Sequence, residues 1–347
     1  MSVGTLTIDH GAIDANWRAL DAMTRCETGA VVKANAYGLD AESVAQTLRR
    51  SGVQSFFVAV AEEGPIVRES VGSLSNIFVF SGHMEGDEDL LREYQLVPLL
   101  NSREQIERHF SVLPGRSFGI QLDTGMNRLG LEPSDWVAVR EDVLLKQPVL
   151  IMSHLACADD PSDLTNARQL RVFRAMTDGI NVPRSLAATG GILLGEAYHF
   201  DLTRPGIGLF GGSPFDAAEP VVTLTADVVQ VRDVQVGETA GYGNVWIASR
   251  RSKIATLSVG YADGLIRALS PGAVVYDHDA ACPVVGRISM DSITVDVTNL
   301  AHIPETLCII GSHQTIDDLA GSAGTISYEI LTSLGMRYRR ERVNWHN

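Results

Sequence analysis

From about residue 28 to 212, short apolar runs alternate with segments whose apolar positions recur at helical spacing. Ala30–Lys33, Phe56–Val60, Ile77–Phe80, Val97–Leu100, Phe118–Leu122 and Val149–Ser153 predict strands, with weaker runs at Ser185–Ala188 and Gly206–Phe210. Helical patterns fall between them, as at Asp40–Arg50, Asn101–Phe110 and Thr165–Asp178. Eight alternations of strand and helix over this length predict a parallel (β/α)8 TIM-type barrel. After Gly211-Gly-Ser-Pro214 the pattern changes. Val221–Val231, Lys253–Val259, Val274–Tyr276 and Ile293–Val297 predict strands with few helices between them, and Gly, Pro and Asp mark the turns, as in Ser270-Pro-Gly272. The expected fold class is α/β: an N-terminal barrel over residues 1–214 and a mostly β domain over 215–347. The Thr5–Asp9 strand is a candidate to pair with that second domain. The basic end, Arg337 to Arg342, is expected to be solvated or salt-bridged.

Composition narrows the class. The chain has 347 residues, 45% hydrophobic and 20% charged, as in an ordinary globular protein. A net charge of −14 argues against nucleic acid or an anionic membrane as partner. The N-terminus lacks the basic and apolar regions of a signal peptide, and no apolar run approaches the length of a membrane span. A cytoplasmic location is expected. The four cysteines, Cys26, Cys157, Cys282 and Cys308, have no CxxC spacing and read as free thiols, with neither a metal site nor a disulfide framework.

Only three lysines stand against 25 arginines, and Lys33 closes the first apolar strand. An ammonium there is costly to desolvate without a task or a partner. Such a lysine suits imine chemistry, most often with pyridoxal 5′-phosphate; it also suits a surface lysine whose stem lies along the barrel edge. Barrel sites form at the C-terminal ends of the strands. Lys33 and Tyr37 follow the first strand, Asp123-Thr-Gly-Met-Asn-Arg128 the fifth and Thr189-Gly-Gly191 the seventh, while Ser153-His154 closes the sixth. Arg204-Pro-Gly-Ile207 is expected to precede the eighth. Taken singly, His154 reads equally as a core histidine, and Arg128 or Arg204 as a structural ion pair.

The segments Val32-Lys-Ala-Asn-Ala-Tyr-Gly38, Leu122-Asp-Thr-Gly-Met-Asn-Arg-Leu-Gly130, Thr203-Arg-Pro-Gly-Ile-Gly-Leu-Phe-Gly211, Ala240-Gly-Tyr-Gly243, Ser258-Val-Gly-Tyr-Ala-Asp-Gly264, Val285-Gly-Arg-Ile-Ser-Met-Asp291 and Ile326-Ser-Tyr-Glu-Ile330 together resemble the alanine racemase family of fold-type III pyridoxal-phosphate enzymes. The resemblance spans nearly the whole chain. It implies that Lys33 holds the cofactor and is one catalytic base, and that Tyr242 from the second subunit of a homodimer is the other. It places Arg204 at the pyridine nitrogen, with His154 linking Arg204 to Tyr242 through hydrogen bonds. Tyr37, Thr189, Tyr328 and the backbone at Gly206 and Ile207 would hold the phosphate. Arg128 and the Met290 backbone of the partner would bind the substrate carboxylate, and Tyr261 would stand at the entry. The activity implied is interconversion of L- and D-alanine, supplying D-alanine for peptidoglycan.

Three departures from the family pattern stand out. Seven residues before Arg128, where many members carry a carbamylated lysine that orients the arginine, this chain has Gln121, which cannot carry a carbamate. Ala188-Thr189 replaces the usual Asn-Ser pair, and Asp40, where glycine is common, reads as a helix cap. The alternatives are a serine or broad-specificity racemase of the same fold, a non-catalytic pyridoxal-phosphate carrier, and an amino-acid decarboxylase. A carrier would lack the β domain and the partner tyrosine. A decarboxylase would place a carboxylate, instead of Arg204, at the ring nitrogen and use a cysteine from the second domain; Cys282 and Cys308 read as small core residues.

Overall fold

The computed structural model describes residues 3–270 and 272–345. Pro271, in the expected Ser270–Gly272 turn, lies outside the described residues. The chain forms two compact units: residues 13–209 with 214–217, and residues 1–12 and 210–213 with 218–347.

The first unit is built on seven parallel strands in sequence order: Ala30–Val31, Ser55–Val58, Asn76–Val79, Val97–Leu100, Gly119–Gln121, Ile151–Met152 and Arg184–Ser185. Strands covered by helices on one side and by barrel interior on the other are apolar throughout; Phe56, Phe57 and Val58 are all buried. Inside, Phe57 stacks on Phe78 and Phe80 at 4.9 and 5.5 Å.

The eighth strand is Leu202–Thr203, not the expected Gly206–Phe210. It pairs in parallel with Glu27–Thr28. Gly29 N donates to Thr203 O at 2.9 Å and Val31 N to Pro205 O at 2.9 Å. On its other side, Asp201 N donates to Arg184 O at 3.0 Å and Arg204 N to Ala187 O at 2.9 Å, which closes the barrel. Pro205 has no N–H to continue a ladder, and Ile207–Phe210 coils into a 3₁₀ turn. Its apolar run is buried in either conformation, so hydrophobicity alone does not distinguish them. Arg204 therefore follows the eighth strand, at the same end of the barrel as Lys33.

Asp40 caps the Ala41–Ser51 helix, its carboxylate accepting from Ser43 N, as the sequence suggested. The helices Arg103–Val112 and Leu164–Thr177 lie within two residues of their expected bounds.

The second unit is built on a sheet of eight strands, ordered Ser252–Leu257, Ile293–Asp296, Ala280–Val285, Val274–Asp277, Thr306–Ile310, Val222–Val234, Gly4–Asp9, Arg339–Val343. The long Val222–Val234 strand also pairs with Ser252–Leu257, with a bulge between Val228 and Gln230 that bends it and turns the sheet on itself. Gly4–Asp9 lies antiparallel to Val222–Val234 and parallel to Arg339–Val343. The basic C-terminal segment, expected as a solvated or salt-bridged terminus, is salt-bridged and also forms an edge strand. Its charged, exposed side chains, with Arg339 paired to Glu341 at 3.0 Å, suit an edge that must not recruit another chain.

Candidate active site

Lys33 leaves the first barrel strand where the backbone reverses its hand. Ala34, Asn35, Ala36 and Tyr37 have φ of 52°, 55°, 52° and 56°. Each L-residue in the left-handed region costs about 1–2 kcal/mol, so four in succession persist only if the surroundings hold them. Within the turn, Ala36 N donates to Val32 O at 2.9 Å and Gly38 N to Ala34 O at 2.8 Å. Asn35 Oδ1 accepts from Ala41 N at 2.8 Å. The Glu63 carboxylate bridges the turn to the second strand, accepting from Ala34 N at 2.6 Å and Ala59 N at 2.7 Å. The Lys33 amine lies 5.8 Å from the centre of the Phe80 ring. Desolvation, and then the positive field of Arg128, push its pKa below the ordinary lysine value, and the Glu63 charge opposes them.

The turn delivers Tyr37, buried, to the start of the eighth strand's exit loop. A Cβ placed on Gly206 would lie 2.3 Å from the Tyr37 hydroxyl oxygen. Thr189 Oγ1, also buried, accepts from Gly206 N at 3.1 Å and Gly208 N at 3.3 Å. Tyr37, Thr189, Gly206 and the neighbouring Ile207 therefore form one cradle of hydroxyls and amides, and the missing side chain at Gly206 is what keeps it open. Ala188 adds no side-chain donor to it.

Arg204 is 1% exposed. Its guanidinium donates to Ser153 O at 2.8 Å, to Leu186 O at 3.3 Å and to Ser185 Oγ, and no carboxylate pairs with it among the described residues. Burial pushes its pKa down to about 9, so it stays a cation at neutral pH. His154 is half-buried and neutral. Desolvation first, then Arg204, Arg128 and Lys33, push its pKa to about 3. Among the described residues, the hydrogen bonds of Arg204 do not include His154; their coupling in this geometry is electrostatic.

Arg128 rides on the loop after the fifth strand and is exposed. Asp123 ties that loop, its Oδ1 accepting from Gly125 N at 2.8 Å and Met126 N at 2.9 Å, and its Oδ2 from Asn127 N at 3.0 Å. Gln121, 5% exposed, donates through Nε2 to Leu129 O at 3.3 Å. It secures the backbone beside Arg128 and not the guanidinium itself. Below, Thr124 meets Ser153 at 2.9 Å, and Gln169 donates to Thr124 Oγ1 at 3.1 Å and to His154 O at 2.9 Å.

Tyr242, Tyr261, Met290 and Tyr328 belong to the β unit. Tyr242 opens a short turn behind Gly241 and is 71% exposed; Met290 and Tyr261 are 54% and 42% exposed. Tyr261 N donates to Ser289 O and Ala262 N to Met290 O, both at 3.0 Å. This pairing is pinned by Asp263, fully buried, which accepts from Gly260 N at 3.0 Å and from Arg337 at 2.6 and 2.9 Å; Arg337 also reaches Asp291 at 2.8 Å. Gly241 packs on Arg287, with a Cβ there only 3.4 Å from Arg287 N, so the Tyr242 turn neighbours the loop that carries Met290. Tyr328 sits half-buried on the Ser327–Ser333 helix.

Four supporting residues were not singled out from the sequence: Glu63, Gln169, Ser185 and Arg337. Glu63 alone carried a legible signal, since it follows the second strand at the functional end of the barrel.

This arrangement, a parallel barrel with a half-buried lysine at the end of its first strand and a mostly β unit in the same chain, has a family. Residues 8–214 match the family model of the alanine racemase N-terminal domain and residues 221–342 that of the C-terminal domain, so the chain belongs to the alanine racemase family. It is 61% identical over 342 residues to an alanine racemase of Cereibacter sphaeroides, covering 98% of each chain. It is 42% identical to one of Rhizobium meliloti, covering 97% of this chain and 96% of that one. Among solved structures it is similar to the alanine racemase of Bartonella henselae with covalently bound pyridoxal phosphate, at a TM-score of 0.94 and 37% identity, covering 99% of this chain and 100% of that one. The biosynthetic alanine racemase of Pseudomonas aeruginosa gives a TM-score of 0.92 at 32% identity, with 99% and 100% covered.

Proposed function

We propose that this chain interconverts L-alanine and D-alanine with pyridoxal 5′-phosphate held on Lys33, as a homodimer whose sites are completed by Tyr242 and Met290 of the partner subunit. The observation that carries the reading is the Lys33 amine, desolvated in the field of Arg128, at the same end of a barrel whose Tyr37, Thr189 and Gly206 come together. The residues fit the cofactor. Hydroxyls and backbone amides gathered around a glycine suit a phosphate, and a buried arginine without a carboxylate partner among the described residues suits an unprotonated ring nitrogen.

When bound, the cofactor supplies an electron sink that acidifies the Cα–H of the amino acid. Racemisation then needs a proton carrier on each face. Lys33 serves one face, and its lowered pKa makes more free amine available near neutral pH. Tyr242 of the partner subunit serves the other. Arg204, which has no carboxylate partner among the described residues, would face the ring nitrogen and leave it unprotonated, which would keep the sink weak and disfavour transamination. Arg128 and the Met290 backbone of the partner subunit hold the substrate carboxylate. Tyr328 and the Ile207 amide would add to the phosphate contacts, His154 stands neutral in the field of Arg204, and Tyr261 would line the entry. Exposure of Tyr242, Tyr261 and Met290 on neighbouring loops supports a second subunit covering them. The D-alanine would supply peptidoglycan in the cytoplasm. Serine or a wider set of amino acids is the alternative substrate range.

The test is to incubate purified protein with each L-amino acid and measure the D-enantiomer. Lys33→Ala is expected to abolish cofactor attachment and nearly all turnover, and borohydride reduction with peptide mapping should place the cofactor on Lys33, not Lys146 or Lys253. Tyr242→Phe should lower the rate by ~10²–10⁴-fold while cofactor binding survives. Mixing the two inactive variants under subunit exchange should restore some activity. No recovery despite demonstrated exchange would remove the shared site.

A further inference from the structure

Four consecutive residues with positive φ follow Lys33, and none of them is glycine. A side chain from outside, Glu63, helps to hold the backbone there. Glu63 ends the short 3₁₀ turn Ala61–Glu63 after the second strand. Its two carboxylate oxygens divide their work: one accepts from Ala34 N, the residue next to Lys33, and the other from Ala59 N, just beyond the Ser55–Val58 strand. Both bonds, at 2.6 and 2.7 Å, are short for amide donors, as expected when the acceptor is ionised.

The entry to the turn is tied to the same strand by Val32 N, which donates to Phe57 O at 2.9 Å, and Glu63 holds the backbone just past Lys33. The other hydrogen bonds of the turn, from Ala36 N, Gly38 N and Asp40 N, close within residues 32–40 and would move with it. Asn35 Oδ1 reaches only the start of the following helix at Ala41. The charged and titratable groups that act on the Lys33 amine come from three other places: Arg128 on the loop after the fifth strand, His154 after the sixth, and Glu63. Glu63 is the anion among them.

We propose that Glu63 is a positioning residue for Lys33: its carboxylate clips the left-handed turn to the neighbouring barrel strand and so fixes the backbone from which the amine is presented. The inference rests on the reading of Lys33 as the reactive amine. The same carboxylate is the nearby negative charge that works against desolvation and Arg128, so its removal lets the amine lose its proton at lower pH.

The test uses the full-length chain with Glu63→Gln and Glu63→Ala. Glutamine keeps the size but can accept only through its oxygen and presents an NH2 to the other amide. Hydrogen exchange of the peptide spanning residues 32–40 should speed up by roughly tenfold relative to the remaining barrel peptides. Limiting acylation of cofactor-free protein with acetic anhydride, mapped by mass spectrometry across pH, reads each of the three lysines separately. The half-reaction pH of Lys33 should move down, with Lys146 and Lys253 unmoved as internal references. In the loaded enzyme kcat should fall on the order of tenfold to a hundredfold, the scale of a misplaced reacting group, with KM for alanine changed much less. A lowered Tm with unchanged 32–40 exchange, Lys33 profile and kcat would assign Glu63 to fold stability alone and overturn the proposal. If the wild type fails to racemise alanine, the proposed function falls while the exchange and acylation arms still judge Glu63.

Discussion

At Gln121 a neutral amide occupies the place where the family resemblance expects a negatively charged carbamate. The amide donates to Leu129 O at 3.3 Å, so its contribution is to the backbone of the Arg128 loop. Two outcomes are expected. Intact-mass measurement shows no carbamate at this residue, and added bicarbonate leaves the rate unchanged; a marked activation would contradict the geometry. Gln121→Leu removes a hydrogen bond worth about 1 kcal/mol. Because Arg128 is the carboxylate ligand in the proposed mechanism, steady-state kinetics should show KM for alanine rising by roughly fivefold, with a smaller change in kcat.

Among elements, the loop pair at Gly260–Asp263 and Ser289–Asp291 shows how a mobile-looking surface is made rigid. Asp263 is fully buried and satisfies Gly260 N, two nitrogens of Arg337 and, through its carbonyl, the Tyr338 hydroxyl at 2.9 Å. Asp263→Ala would leave Gly260 N buried without its acceptor, a loss of about 1–3 kcal/mol, readable as a lowered Tm. It should also reduce turnover more than a distant variant of equal instability, because Tyr261 and Met290 sit on the same pair of loops. Legibility from sequence varied among elements for physical reasons. Fully buried strands such as Ser55–Val58 and Val97–Leu100 are written as unbroken apolar runs. Ile207–Phe210 is written the same way but is a buried 3₁₀ turn, and Arg339–Val343 is a strand whose charged side chains read as solvent. At the site, Lys33 and Thr189 read from the sequence as following strands, whereas Arg204 reads as preceding one, because the apolar Gly206–Phe210 run conceals that Leu202–Thr203 is the strand. The left-handed turn does not, because Ala34-Asn-Ala36 carries no glycine and its support comes from Glu63, 29 residues away.

For the whole molecule, acid is the informative perturbation. His154 is held neutral in the folded protein, with its pKa at about 3, while an unfolded histidine binds a proton near the ordinary value of 6.5. Between those values the unfolded chain carries more protons, so stability rises with pH across the window and is lost as pH falls from about 6.5 towards 3. Calorimetry from pH 7 down to pH 4.5 should show a smaller drop in Tm for His154→Gln than for the wild type; an equal drop would mean that His154 is protonated in the fold.

The sheet of the β unit places Gly4–Asp9 between Val222–Val234 and Arg339–Val343. On a ribosome adding ~5–20 residues per second, the first strand emerges and then waits roughly 15–70 s before its last neighbour has been synthesised. For most of that interval the strand carrying Leu6 and Ile8 has no sheet to join, because its other neighbour, Val222–Val234, is itself made only after the barrel strands. The N-terminal segment is therefore the part of the nascent chain most in need of chaperone shelter, and translation stalled before residue 339 would leave its edge open to the same strand of another chain.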